Sequence, residues 1–291
     1  MIILGGTATN GIDEKVSSLL NLKLVKIEHK VFPDGESYVR IPEQITDKDV
    51  VVIQSLYPPQ DKHLIELFLV VETLSEMKVD KITVVIPYLA YSRQNRRFKE
   101  GEAISIKTIL NLLRKSGASS LAVVEPHHYE ELEYFEGDTK VIDPIPYISK
   151  VVSLRTEKPL VLAPDKGALN RAKRLAEILS TDYTFIEKER DLNTGEVRIK
   201  NLPELEVKGR DVVLIDDIIS TGGTMVQAIN MVKKQGARKV YVTAVHGLFI
   251  GDAYLRLIEA GAEEVIITNT IPQDPSKVTI VDVSEAVART L

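Results

Sequence analysis

Eight short runs rich in valine and isoleucine alternate along this chain with longer segments of helical character. The runs are almost continuously apolar, which is typical of parallel strands covered on both faces. The segments between them carry apolar residues at intervals of three and four and end in lysine or glycine, as helices do. This alternation predicts an α/β fold with a mainly parallel central sheet flanked by helices. The predicted strands are MIILGG, DVVVIQS, KITVVIPY, SLAVVEP, PLVLAPD, DVVLIDD, KVYVTAV and EVIITNT.

The length of 291 residues allows one large domain or two of ordinary size. Residues 112–128 (LLRKSGASSLAVVEPHH) resemble residues 231–247 (MVKKQGARKVYVTAVHG). Two βα units can share such a helix–glycine–strand pattern by chance, but agreement over the whole of both segments favours duplication of one domain. The boundary is expected in VIDPIPYISK, since two prolines interrupt regular structure there. We therefore predict two tandem domains of the same type, residues 1–146 and residues 147–291.

Composition excludes several classes of protein. The 37 basic and 42 acidic residues give a net charge of -5, which provides no electrostatic footprint for nucleic acid. There is no cysteine, so disulfides and thiolate metal sites are excluded. No apolar run approaches the ~18 residues of a membrane span, and the first residues lack the basic start of a signal peptide. We expect a cytoplasmic protein with neither a nucleic acid nor a membrane as partner.

The segment VVLIDDIISTGGTMVQAI, residues 212–229, carries the strongest chemical signal. Asp216 and Asp217 end a predicted strand, where ligands bind in open α/β sheets. The following turn leads into a helix amino terminus, whose N–H groups and positive dipole end suit a phosphate. Paired carboxylates accept hydrogen bonds from a vicinal diol, so the combination predicts a ribose phosphate site; a bare strand–turn–helix connection with a threonine cap is the weaker alternative. The turn consists of Ser220, Thr221, Gly222, Gly223 and Thr224.

This segment resembles the ribose-phosphate-binding motif of the phosphoribosyltransferase fold. Further motifs occur in order along the chain: FPDGESYVRI, PYLAYSRQNRRF, VEPHH, APDKGALNRA and EKERDLNTGEVR. Together they resemble the ribose-phosphate pyrophosphokinase family. The resemblance implies two domains of one fold and attack of the anomeric hydroxyl of ribose 5-phosphate on the β-phosphorus of ATP. The diphosphoryl group moves and AMP leaves. A homodimer or larger homo-oligomer is also implied.

The resemblance places ATP against two segments. One contains Phe32, Asp34, Gly35 and Glu36, which reach the adenine from a neighbouring subunit. Phe32 can stack on the base, and a carboxylate can accept from its amino group. A polar Pro-Asp-Gly turn between strands is the plain alternative. The other segment is PYLAYSRQNRRF, where the Arg93–Gln94 pair would line the nucleotide; the guanidinium groups here can fork onto phosphates, or they form a solvated basic loop.

The resemblance also implies a magnesium ion held by His127 and Asp165. Asp165 follows a predicted strand and offers the oxygen ligand that Mg²⁺ prefers. Histidine is an unusual partner for this ion, and a lone histidine is more often structural. The family pattern has aspartate where this chain has Glu125.

Lys188 and Arg190 correspond to the catalytic lysine and its partner arginine in this resemblance, and Arg190 is also expected at the ribose 5-phosphate. Phosphoryl transfer depends mostly on positioning and charge neutralisation, which loop cations can supply. A solvated hairpin tip is the alternative. Two other functions remain open, a phosphoribosyltransferase and a regulatory homologue without catalysis. Neither explains the FPDGE and SRQ motifs together with both cations.

Overall fold

The computed structural model describes residues 1–190, 197–201 and 207–291, with only the backbone described for residues 188–190 and 197–201. The first part of the chain alternates strands and helices, with one hairpin of two short strands inserted after the second strand. A 3-10 turn follows the seventh strand. The elements are β1 (Ile2–Gly5), α1 (Ile12–Leu20), β2 (Leu24–Lys26), β3 (Glu28–Val31), β4 (Ser37–Arg40), β5 (Asp49–Ile53), α2 (Gln60–Glu76), β6 (Lys81–Ile86), α3 (Ser105–Lys115), β7 (Ser120–Val124) and β8 (Asp138–Ile142).

The second part repeats this order after an extra helix. The elements are α4 (Ile145–Ser153), β9 (Leu160–Ala163), α5 (Leu169–Leu179), β10 (Tyr183–Phe185), β11 (Glu187–Arg190), β12 (Val197–Asn201), β13 (Asp211–Ile219), α6 (Gly223–Lys234), β14 (Lys239–Gly247), α7 (Ala253–Glu259), β15 (Glu264–Thr268), β16 (Thr279–Val281) and α8 (Ser284–Thr290). In the described part of the chain, none of these helices combines the length and apolar character that crossing a membrane requires.

The chain forms two compact units. Unit 1 contains Met1–Asp143, Thr270–Pro272 and Asp282–Leu291, and unit 2 contains Pro144–Asn269 and Gln273–Val281. Each unit holds one six-stranded parallel sheet, in the order β2-β1-β5-β6-β7-β8 in unit 1 and β10-β9-β13-β14-β15-β16 in unit 2. The prediction of mainly parallel sheets flanked by helices is confirmed.

The core of each unit follows from the near-continuous apolar strands. In unit 2, Leu162, Leu214 and Val242 lie on neighbouring strands and are fully buried beneath α6 side chains such as Ile229. Such strands cannot face water on either side, so helices must cover both faces. This packing fixes the carboxyl ends of the strands, from which the loops with polar side chains emerge.

The two sheets have the same strand order, but the sequence likeness noted above joins non-equivalent parts. In strand order β7 corresponds to β15 and β6 to β14. Residues 112–128 run from α3 into β7, whereas residues 231–247 run from α6 into β14. That sequence likeness therefore reflects a helix–glycine–strand pattern that βα units commonly share. The internal repeat itself is carried by the strand order and by a hairpin inserted at the same place in each unit, β3–β4 and β11–β12.

The helix that follows the last strand of each sheet belongs to the other unit. α4 follows β8 in sequence but belongs to unit 2, where it packs on α5. α8 follows β16 but belongs to unit 1, where it packs on α1. The break in regular structure expected near residue 145 lies between the end of β8 at Ile142 and the start of α4 at Ile145. Pro144 is the N-cap of α4 and Pro146 lies in its first turn, where a missing N–H costs no helical hydrogen bond.

Candidate active site

The two aspartates predicted to face a diol end the central strand of unit 2. Asp216 and Asp217 lie near the end of β13, between β9 and β14. The Asp217 backbone N–H donates to Asp216 Oδ1 at 2.9 Å. Burial, the neighbouring Asp217 carboxyl and the charge of Asp165 together raise the pKa of the Asp216 carboxyl to about 8. This pair is therefore a buried acidic site that binds a proton readily in the free protein.

The turn after β13 leads directly into α6. Its backbone is held from one side, since the Ile250 N–H donates to the Ser220 carbonyl at 2.9 Å. Gly222 is the N-cap residue and has φ 74°, a left-handed conformation that favours glycine. Apart from the neighbouring residues and the backbone of α6 itself, no heavy atom in the described part of the chain lies within 4 Å of the position that a Cβ on Gly223 would take. The turn thus leaves open space beside a helix amino terminus, as an anion site requires.

The Ser220–Thr224 turn and the Asp216–Asp217 pair lie at the same end of β13. Ser220 and Thr224 are partly exposed, and Thr221 is exposed. No side-chain hydrogen bond caps α6, so the threonine-cap alternative does not apply to this helix. The described geometry matches a site for a small anion beside two acids.

Asp165 lies on the neighbouring strand end. It follows β9 and caps a 3-10 turn, Lys166–Ala168, by accepting a hydrogen bond from the Gly167 N–H at 2.9 Å. β9 pairs directly with β13, and the charge of Asp165 contributes to the raised pKa of Asp216. The structure therefore gathers three carboxylates at one edge of the unit 2 sheet.

This acidic edge fits a magnesium ion in its chemistry. Mg²⁺ prefers oxygen ligands and keeps several waters, so one or two carboxylates are enough. A cation also offsets the mutual repulsion that raises the pKa of Asp216. Among the described residues, however, no three His, Asp or Glu side chains are arranged to enclose a metal ion. The carboxylates at this edge therefore fit a magnesium ion that keeps most of its water ligands and has few protein ligands.

A cavity of about 350 Å³ connects the Asp165 turn with the start of the β11–β12 hairpin. Asp165, Lys166 and Gly167 line one side, and Phe185, Ile186 and Glu187 line the other. Lys188 and Arg190 lie in β11, immediately beyond this cavity in sequence, and their side chains lie outside the described part of the structure.

The predicted adenine segment is the turn of the β3–β4 hairpin in unit 1. The Phe32 N–H donates to the Glu36 carbonyl at 2.8 Å, and the Gly35 N–H donates to the Phe32 carbonyl at 2.9 Å. Gly35 has φ 98°, and Asp34 Oδ1 accepts from the Glu36 N–H at 3.2 Å. The Phe32 ring is 38% exposed and packs edge-on against Tyr38 at a centroid distance of 6.0 Å. An ordered turn therefore presents an aromatic face and two carboxylates to the surroundings.

The Arg93–Gln94 pair follows β6, also in unit 1. Arg93 is exposed, and Gln94 donates to the Arg96 carbonyl at 3.0 Å. Sequence reasoning missed Glu102, which organises this loop. Its Oε2 accepts from the backbone N–H groups of Phe98 at 2.8 Å and Lys99 at 3.1 Å. These hydrogen bonds lower the pKa of Glu102.

His127 lies after β7 in unit 1, and its ring contacts that of His128 edge-on at 4.6 Å. Nearby Glu125, where the family pattern has aspartate, is buried with φ 40°. Its Oε1 accepts from the Tyr129 hydroxyl at 2.8 Å. The longer acid is thus held by a tyrosine four residues on. Two other histidines, His63 and His246, are both buried.

The tandem parallel sheets, each with an inserted hairpin, and the acidic strand end before a glycine turn define a protein of the phosphoribosyltransferase fold class. Comparison with known proteins narrows this class. The sequence profile of the N-terminal domain of ribose phosphate pyrophosphokinase matches residues 1–117, and that of the phosphoribosyl synthetase-associated domain matches residues 186–291. The chain belongs to the ribose-phosphate pyrophosphokinase family and is an enzyme of the diphosphotransferase type.

Individual relatives agree over the full length. The ribose-phosphate pyrophosphokinase of Sulfolobus acidocaldarius is 68% identical over 99% of both chains. That of Saccharolobus solfataricus is 53% identical over 100% of both. The crystal structure of phosphoribosylpyrophosphate synthetase from Mycobacterium smegmatis superimposes with a TM-score of 0.89 at 28% identity, covering 99% of this chain and 96% of that one.

Proposed function

We propose that this enzyme transfers the β,γ-diphosphoryl group of ATP to the anomeric hydroxyl of ribose 5-phosphate. The products are AMP and 5-phospho-α-D-ribose 1-diphosphate, a precursor for nucleotide biosynthesis. The observation that carries this proposal is the open glycine turn at the start of α6, directly beside Asp216 and Asp217. A ribose phosphate is a ligand that uses both features at once.

On the sugar side, the turn binds the 5-phosphate through the first N–H groups of α6 and the hydroxyls of Ser220, Thr221 and Thr224. Asp216 and Asp217 take the two ring hydroxyls. With a pKa of about 8, Asp216 holds a proton in the free enzyme at neutral pH. The two hydroxyls of the diol donate to the pair, which fixes the sugar with its anomeric carbon away from the turn.

On the nucleotide side, Phe32 stacks on the adenine while Asp34, Gly35 and Glu36 contact its edge. Arg93 neutralises phosphate charge, and Gln94 adds a hydrogen bond. The hairpin turn projects exposed groups, which supports contact with ATP bound to a neighbouring subunit. We therefore propose that the enzyme works as a homodimer or larger homo-oligomer.

Asp165, together with His127, would hold Mg²⁺, which supplies charge neutralisation on the diphosphate when it is bound. Lys188 and Arg190 neutralise the charge that develops on the transferred group, and Arg190 also contacts the sugar phosphate. We assign the ATP motifs to residues 1–146 and the sugar and catalytic motifs to residues 147–291. We place the reaction in the cytoplasm, where ATP is regenerated.

The test is AMP release measured with and without ribose 5-phosphate, in the presence of ATP and Mg²⁺. AMP should appear only when the sugar phosphate is present, with one diphosphorylated sugar formed per AMP. Phosphoribosyl transfer to a nucleobase in place of AMP release would contradict the proposal. So would tight binding of both ligands without turnover.

A further inference from the structure

A buried hydrogen-bond network in unit 1 joins the β3–β4 hairpin to the end of the sheet. Its centre is Glu66 on α2, which is 1% exposed. Glu66 Oε1 accepts from the Ser37 hydroxyl at 2.8 Å, and Oε2 accepts a short hydrogen bond from the Thr7 hydroxyl. Gln54 completes the chain, because its Nε2 donates to Thr7 Oγ1 at 3.0 Å and its Oε1 accepts from the Ala8 N–H at 3.2 Å.

The strand register shows what this network replaces. Ile2 pairs with Val50 in unit 1 as Leu160 pairs with Val212 in unit 2. Thr7 lies five residues after Ile2, as Asp165 lies five after Leu160. Gln54 lies four residues after Val50, as Asp216 lies four after Val212.

Two acids of unit 2, Asp165 and Asp216, thus correspond in unit 1 to two neutral residues, Thr7 and Gln54, that are hydrogen-bonded to each other. Moreover, α2 begins after Pro59 with no glycine turn before it. Gln54 Oε1 also lies only 2.0 Å from the position that a Cβ on Gly6 would take, so the amide fills that space. Unit 1 therefore holds side chains in the place where unit 2 keeps room for ligands.

The hairpin depends on this contact because little else buries it. All four residues of β3 are exposed, whereas β4 packs on α2. Ser37 is the first residue of β4 and directly follows the Phe32–Glu36 turn. A hydrogen bond between a hydroxyl and a buried carboxylate at this point restricts the direction of the turn. Lys62 Nζ lies 3.8 Å from Glu66 Oε1 and balances its charge.

We propose that Glu66 is a positioning residue for ATP binding, because it anchors the hairpin through Ser37 to the loop after β1 through Thr7. This inference rests on the proposed role of the hairpin turn in ATP binding. Glu66 itself does not touch the nucleotide. Its effect is to hold the Phe32 ring and the neighbouring carboxylates in the orientation that binds ATP.

The experiment compares Ser37→Ala with Ser37→Thr, which keeps the hydroxyl. Ser37→Ala should raise the KM for ATP about 3- to 10-fold, the net equivalent of one hydrogen bond, and leave kcat and the KM for ribose 5-phosphate little changed. Ser37→Thr should restore the KM for ATP. Glu66→Ala should have the same effect or a larger one, and Glu66→Gln, which keeps one acceptor oxygen, a smaller one. Thr73→Ala on α2 is the matched control, since its hydroxyl donates within the helix, to the Leu69 carbonyl.

Hydrogen exchange of residues 28–40 in the enzyme without ligands gives a readout independent of catalysis. Exchange should be faster in Ser37→Ala and Glu66→Ala than in Thr73→Ala. Unchanged hydrogen exchange and an unchanged KM for ATP in both variants would overturn the proposal that Glu66 anchors the hairpin. A Phe32→Ala enzyme separates the two proposals. If its KM for ATP is normal while Ser37→Ala still exchanges faster, the ATP role of the hairpin is wrong and the anchor stands.

Discussion

Arg238 holds Asp211 with two parallel hydrogen bonds, from Nε to Oδ1 at 2.8 Å and from a terminal nitrogen to Oδ2 at 2.9 Å. Asp211 is 3% exposed and begins β13, the strand whose other end carries the acidic pair. This two-pronged contact between Arg238 and Asp211, the Arg238–Asp211 fork, thus fixes the start of the central strand of unit 2. It also raises the pKa of Arg238.

Replacing Arg238 should affect stability without affecting catalysis. Arg238→Ala leaves a buried carboxylate without its partner, so the melting temperature should fall by a few degrees. Arg238→Lys keeps the charge but cannot form the fork, so its melting temperature should lie between the two. Thermal unfolding together with steady-state kinetics tests this. A loss of kcat at unchanged melting temperature would contradict a purely structural role.

Asp216→Asn should make the free enzyme more stable in neutral and alkaline solution. The folded pKa of about 8 lies above the ordinary value of 3.8, so the folded state binds the proton more tightly than the unfolded state does. Stability contributed by this group is therefore full below about pH 4 and is lost as the pH rises to about 8. The neutral variant avoids this loss, and we expect a gain of about 1–3 kcal/mol at pH 8.

The measurement is the free energy of unfolding of both proteins between pH 4 and pH 8, without ligands. The two curves should converge at the acidic end. The variant should also bind ribose 5-phosphate more weakly while its affinity for ATP changes less. Parallel stability curves would show that Asp216 is ionised in the free enzyme.

The two glycines of the turn should respond differently to alanine. Gly222 has φ 74°, so Gly222→Ala should cost about 1 kcal/mol of stability. The Cβ position on Gly223 is open, so Gly223→Ala should leave the melting temperature almost unchanged. Its methyl group would nevertheless occupy space beside the proposed phosphate, and the KM for ribose 5-phosphate should rise about tenfold or more.

Kinetics and thermal unfolding of both glycine variants test this pair of expectations. A Gly223→Ala enzyme with a normal KM for ribose 5-phosphate would place the phosphate elsewhere.

Lys188→Ala should lower turnover by about 10³-fold, by analogy with cations that stabilise phosphoryl transfer. The melting temperature should change little. The rate of AMP release at saturating ATP and ribose 5-phosphate is the measurement, with Lys158→Ala as a control for removal of an exposed lysine. Unchanged turnover would remove Lys188 from the mechanism.

All eight runs predicted as strands from their valine and isoleucine content form strands. The sequence did not indicate the outer strands. β2, β10 and β16 have three residues each, and β8 exposes four of its five residues. A strand at the edge of a sheet is buried on fewer sides, so it lacks the apolar run on which the prediction depends.

The candidate site likewise contains residues that could be predicted from the sequence and residues that could not. Residues 216–224 could be predicted because strand, acids and glycine turn are continuous in sequence. Glu66 could not, since a glutamate four residues after Lys62 on a helix is typical of an exposed ion pair. Only the tertiary structure brings it to Thr7 and Ser37.

The placement of α4 and α8 has a consequence for how such a chain arose. Each half of the polypeptide gives its terminal helix to the other half and receives one in return. A cut between α4 and β9 would therefore separate each fragment from the helix that packs on it, and neither fragment would be expected to fold alone. In connectivity, the molecule is what results when two copies of a domain-swapped ancestor are joined end to end.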